Sequence, residues 1–242
     1  PWKPGYVRQS AELSSDTTSM ARLLDLHQQI LSIQNTFGVR AGLSWGLKQR
    51  MDLVNRWQSS TRLKQGNPST VAQHPLVGAV VETIVAKGMI WIEALMPLLD
   101  KLHRSTWSTQ WLIRDLWREN ILWRGEHVTG IVDFGAAGYD IPILEIVRLW
   151  SSLLQPQSSY WTEVVTAYQK NESLVQACEV TQLAPLPLLD QLDRLSTLLS
   201  LLNWVEWIAK ELPAETGSTQ GTLPSQNVAR FLELWQRWQQ WL

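Results

Sequence analysis

Apolar residues recur with a period near 3.6 along most of the chain, which predicts helices near residues 16–36, 44–58, 77–102, 142–154, 158–170, 186–211 and 225–241. One region breaks this rhythm. Asn120-Ile121-Leu122-Trp123 reads as a short strand, Arg124-Gly125-Glu126-His127 as a tight turn, and Val128-Thr129-Gly130-Ile131-Val132 as the returning strand. The polar stretches at 59–75, with Gln65-Gly66-Asn67-Pro68, and at 213–224, with Gly217 and Gly221, read as connectors. No internal repeat or low-complexity tract stands out. The expected class is α+β, mostly α, with one short hairpin.

The hairpin matters because of what flanks it. Asp115 and Asn120 precede it, and a hairpin of that length carries Asp133 back beside Asn120. Hard cations take oxygen ligands, and Mg²⁺ is usually held by one or two carboxylates together with substrate phosphates. Asn120 and Asp133 are therefore candidate metal ligands on a nucleotide phosphate, and Asp115 remains to act as a base.

Arg114-Asp115-Leu116, Glu119-Asn120-Ile121-Leu122 and Asp133-Phe134-Gly135 resemble the catalytic loop and metal-binding triplet of protein-kinase-like phosphotransferases, and of the bacterial aminoglycoside phosphotransferase family in particular. The resemblance implies a protein-kinase-like carboxyl lobe with its catalytic loop at 113–122 and its metal-binding triplet at 133–135. It implies Asp115 as the base that accepts or orients the acceptor proton, Asn120 and Asp133 as Mg²⁺ ligands, and ATP or GTP as co-substrate. Asp140-Ile141-Pro142 and the helix that follows occupy the family's downstream turn and acidic helix. By the same resemblance Glu145 braces the catalytic loop by accepting hydrogen bonds from its backbone.

The chain departs from the family pattern at several positions. Ile113 stands where the family has His, Arg114 where it has Gly, and Trp117 where a His or Lys lies near the transferred phosphate; Arg118 is the candidate replacement for that positive charge. No Gly-rich phosphate loop and no strand-borne Lys are found. Pro1-Trp2-Lys3-Pro4-Gly5 resembles the hinge between lobes, so residues 1–15 are expected to link to an absent amino-terminal lobe and residues 16–242 to form a helical carboxyl lobe. Without the missing lobe the chain is expected to be inactive. Met20 to His27 resembles the first helix of the carboxyl lobe, and Asn203-Trp204 a pair on a late helix of related bacterial proteins.

Composition narrows the function classes. The chain has 242 residues, is 45% hydrophobic, and balances 21 basic against 22 acidic residues for a net charge of −1. Neither nucleic acid nor an anionic membrane is an expected partner, because both need a basic excess. Cys178 is the single cysteine, which excludes an internal disulfide and fits a reducing, cytoplasmic setting. No apolar run reaches the roughly 18–20 residues of a spanning helix. Many of the 15 Trp residues fall at helical spacing, as in Trp235, Trp238 and Trp241, which favours packing over ligand binding. The four His show no pairing with a nucleophile, and no Gly-x-Ser-x-Gly elbow supports a hydrolase.

The reading is a Mg²⁺-dependent phosphotransferase acting on a hydroxyl of a small molecule, with Asp190, Asp193 and Glu206 as acidic residues suited to a cationic acceptor or, equally, as solvated helix faces. The rival reading is a catalytically silent kinase-like module that binds a protein partner through its Trp-rich helices.

Overall fold

The computed structural model describes residues 16–59, 78–156, 158–211 and 225–242. The expected hinge at 1–15, and nearly all of the two connectors, lie outside the described residues, as does His74. Eight helices and five strands follow in the described order: α1 (Thr17–Asn35), β1 (Val39–Gly42), α2 (Trp45–Ser59), α3 (Gly78–Arg104), β2 (Trp107–Leu112), β3 (Ile121–Arg124), β4 (His127–Ile131), β5 (Gly138–Asp140), α4 (Pro142–Ser151), α5 (Tyr160–Tyr168), α6 (Glu172–Thr181), α7 (Pro185–Glu211) and α8 (Ser225–Gln239). A 3₁₀ turn, Arg118–Asn120, leads into β3. The class is α+β with helices dominant.

The chain divides into two compact units, residues 1–48 with 100–193 and residues 49–99 with 194–242. The first unit holds both sheets. In one, β2 lies between β1 and β5, antiparallel to both; the other is the β3–β4 hairpin. The hairpin lies where the alternation and turn residues place it, with Arg124 paired to His127 across Gly125 and Glu126. Gly125 takes φ 58°, a conformation that costs glycine nothing.

The first sheet is a departure from the sequence reading, which assigns none of its three strands. β5 is only three residues long, and β1 meets β2 across a long sequence separation, so neither shows enough alternation to register locally. The sequence reading also lacks α6. This helix is capped by Asn171, whose side chain accepts from the Leu174 N–H, and ends at Gln182 in the left-handed region.

Local chemistry accounts for the element ends. Asp16 caps α1 by accepting from the Ser19 N–H at 3.0 Å, and α1 buries Met20, Leu23, His27, Leu31 and Gln34, one face of a helix. Pro142 opens α4, where a missing N–H costs nothing. α4 is a core helix: from Ile141 to Trp150 every residue is buried except Arg148. Helix α2 is anchored at its start by two side chains. Ser44 Oγ accepts from the Leu47 N–H at 3.1 Å, and the buried Asp140 accepts from Ser44 Oγ at 2.5 Å, from the Gly46 N–H at 2.7 Å and from its neighbour Ile141 N–H at 2.9 Å. A carboxylate at a helix N-terminus satisfies orphan N–H groups and meets the positive end of the helix dipole.

The second unit is helical among its described residues, and tryptophans fill it. Trp57, Trp238 and Trp241 are buried, and Trp204–Trp207 and Trp235–Trp238 pack with ring centroids 5.3 and 5.6 Å apart. The Arg194 guanidinium lies 5.3 Å from the Trp91 ring and 5.7 Å from that of Trp241.

Asp140→Ala removes an acceptor shared by three donors at a buried site and leaves them unpaired. The expected loss is about 2–4 kcal/mol of stability, read as a lowered denaturant midpoint at unchanged slope.

Candidate active site

The loop between β2 and β3 is held in a shape that its sequence alone does not favour. Arg114 has φ 63°, a left-handed conformation that costs a residue with a Cβ about 1–2 kcal/mol. Three contacts hold it there. Its N–H donates to Glu145 Oε2 at 2.8 Å, its Nε donates to the Ala136 carbonyl at 2.6 Å, and its guanidinium lies 4.3 Å from the centre of the Trp45 ring. The guanidinium crosses directly over Gly138, where an added Cβ would stand 2.8 Å from Arg114 Cζ and force the arginine side chain to shift.

Glu145 is 1% exposed and is itself supported. Its second oxygen, Oε1, lies 3.4 Å from His27 Nε2, while His27 Nδ1 meets the Tyr168 hydroxyl at 2.5 Å and Trp150 Nε1 donates to the same hydroxyl at 3.2 Å. One proton arrangement satisfies every group in the chain: Trp150 donates to Tyr168, Tyr168 donates to His27 Nδ1, and His27 Nε2–H donates to Glu145. Burial pushes the Tyr168 phenol far above its usual range, with the Glu145 charge adding to the effect and the Trp150 bond opposing it. The sequence reading gives His27 an ordinary surface or capping role and does not single out Tyr168; the spacing of His27 with the buried Met20, Leu23 and Leu31 is the signal that could have found it.

Beyond Arg114 the loop presents Asp115, whose side chain is about a third exposed. Its carbonyl accepts from Asn120 Nδ2 at 2.8 Å, so the base candidate and the metal-ligand candidate are tied together through backbone. With Nδ2 donating to that carbonyl, Oδ1 is the Asn120 atom left as a candidate ligand. Val132 N–H donates to the Asn120 carbonyl at 2.9 Å, which joins the end of the hairpin to its beginning. The next residue, Asp133, also has a left-handed backbone, φ 61°, and is exposed; its Oδ1 accepts from the Gly135 N–H at 3.4 Å. Short polar residues tolerate that conformation best. Phe134 beside it is 56% exposed.

Two sequence-based candidates are buried. Arg118 is 5% exposed, with its N–H donating to Ser152 Oγ at 2.9 Å and its guanidinium 3.7 Å from Glu119. Asp193 is buried, not on a solvated helix face. The cation that does meet Asp115 is Arg148, donating from Nη2 at 2.8 Å and Nε at 3.2 Å to the same oxygen, Oδ1.

Asn120 and Asp133 suit a hard cation by donor type, each supplying a side-chain oxygen; Asn120 is buried and Asp133 exposed. Among the described residues no group of three or more His, Cys, Asp or Glu could hold a metal by itself. A separate cleft of about 670 Å³, lined by Gln28, Ser32, Asn35, Gln110, Lys170 and Glu172 among others, includes none of Asp115, Asn120 and Asp133. No helix among the described residues is long and apolar enough to cross a membrane.

A phenol held neutral in the fold but ionising near pH 10 when unfolded stabilises the fold fully below that pH and progressively less above it, because the unfolded chain then releases a proton that the folded chain keeps. Wild-type stability should fall by up to about 1.4 kcal/mol per pH unit above pH 10 from this group, and Tyr168→Phe should lack that part of the slope. Chemical denaturation from pH 8 to 11 reads the difference.

The profile of the phosphotransferase enzyme family, APH, matches residues 17–177. No curated protein and no solved structure matches the chain. The matched span is more than half of the 242 residues and includes the loop at Asp115, the hairpin, Asp133 and all four members of the His27 network. The chain therefore belongs to the phosphotransferase enzyme family.

Proposed function

We propose that the chain is the protein-kinase-like carboxyl lobe of a cytoplasmic phosphotransferase that, with its amino-terminal lobe, transfers the γ-phosphate of ATP or GTP to a hydroxyl of a small molecule. Asp115 is the base, and Asn120 and Asp133 hold Mg²⁺ on the phosphates. The observation that carries the reading is the bond from Asn120 Nδ2 to the Asp115 carbonyl, which fixes the base at a constant distance from a ligand of the metal.

In this reading Mg²⁺ would neutralise charge on the β- and γ-phosphates. Asp115 orients the acceptor hydroxyl so that its oxygen faces the γ-phosphorus. A bond forms between that oxygen and phosphorus, the bond from phosphorus to the β–γ bridging oxygen breaks, and the nucleoside diphosphate leaves with the electron pair. The hydroxyl proton passes to Asp115. Because both Arg148 contacts fall on Oδ1, Oδ2 is the oxygen that takes it. Glu145, Arg114 and His27 position the loop and touch neither substrate. Phosphoryl transfer depends mainly on such positioning, so a loop fixed by buried bonds suits it.

The test is Mg²⁺-dependent consumption of ATP or GTP against a panel of hydroxylated small molecules, using the protein with any segment encoded upstream of Pro1. Asp115→Asn should lower kcat by at least about 100-fold without lowering the melting temperature. Asp133→Asn should raise the Mg²⁺ concentration needed for half-maximal rate. A protein that neither turns over nor binds nucleotide would instead be the silent partner-binding module.

A further inference from the structure

We propose that Arg148 is the cation that meets the transferring phosphoryl group; this rests on the phosphotransfer reading and adds a residue to it. Helix α4 is otherwise buried from its first residue to Trp150, and Arg148 is its one partly exposed position there. The side chain is 37% exposed and leans on two residues of the catalytic loop: Asp115, through Nε and Nη2, and Trp117, whose ring centre lies 5.2 Å from Arg148 Cζ.

An ion pair this exposed contributes only about 0–1 kcal/mol to stability, so folding alone gives little reason to aim an arginine out of a core helix at Asp115. Catalysis gives a reason. A guanidinium has five N–H donors, and the contacts to Asp115 use only the Nε and Nη2 sides, which leaves Nη1 for another acceptor. An acceptor oxygen hydrogen-bonded to Asp115 would place phosphorus within about 6 Å of that carboxylate, within reach of the same guanidinium. The planar fork suits phosphate oxygens, and the Trp117 face holds the fork in place at little cost in entropy. Arg118 is buried, 5% exposed, whereas Arg148 reaches the solvent-exposed side of Asp115.

A cation that acts on the transferring group should matter more for the transition state than for bound nucleotide. In the protein with any segment encoded upstream of Pro1, Mg²⁺–ADP affinity of Arg148→Ala should stay within about threefold of wild type. Its affinity for Mg²⁺–ADP–aluminium fluoride, which mimics the phosphoryl group in flight, should fall by about 100-fold, as should kcat. Arg148→Lys should recover part of the loss, and added guanidinium should raise the rate of the Ala variant but not of wild type. Equal loss of affinity for both complexes, or no loss for the fluoride complex, would overturn the role of Arg148 while leaving the phosphotransferase reading intact. A wild-type protein that binds neither complex would overturn both.

Discussion

The hydrogen bond from the Arg114 N–H to the buried carboxylate of Glu145 is the constraint on which the site depends. Arg114 occupies a left-handed conformation that its own side chain disfavours, and a buried charge without partners would be costly in turn. Each problem answers the other. The carboxylate gains a backbone donor on one oxygen and the His27 imidazole on the other, and the peptide gains an acceptor that moves only if the core helix α4 moves. Because α4 is packed on nearly all sides, the loop takes its rigidity from the core and not from its own sequence.

Downstream of that peptide the chain turns toward the surface, and the two attachments of Asp115 differ in kind. The backbone attachment, from Asn120 to the Asp115 carbonyl, is short range and ties together residues five apart in the loop before β3. The side-chain attachment comes from Arg148, a helix away in sequence. The first holds the Asp115 backbone, and the second occupies one of its carboxylate oxygens, Oδ1, and limits the rotation of the side chain. In the phosphotransfer reading proposed above, such preorganisation is what lowers a barrier dominated by charge and position.

Gly138 shows the same economy of space in reverse. Arg114 needs a flat passage to reach the Ala136 carbonyl and Trp45, and β5 supplies it by having no side chain at the crossing. The three-residue strand β5 thus serves two purposes: its start clears the arginine's path, and its end, Asp140, anchors helix α2.

The sequence by itself determined the hairpin, because Gly125 and the alternation around it are local signals, and it singled out Asp115, Asn120, Asp133 and Glu145 through their order along the chain. It located most helices, since a 3.6 period persists over enough residues to be read. It did not reveal the sheet of β1, β2 and β5, whose strands are short and find partners far along the chain. Nor did it show that Arg118 turns inward while Arg148 meets Asp115, or that His27 and Tyr168 stand behind Glu145. Those outcomes are set by which side of a helix faces the core and by pairings between distant segments, and neither is encoded in the spacing of neighbouring residues. Only packing decided them, because a buried polar group takes whichever partner the tertiary structure brings within hydrogen-bond distance.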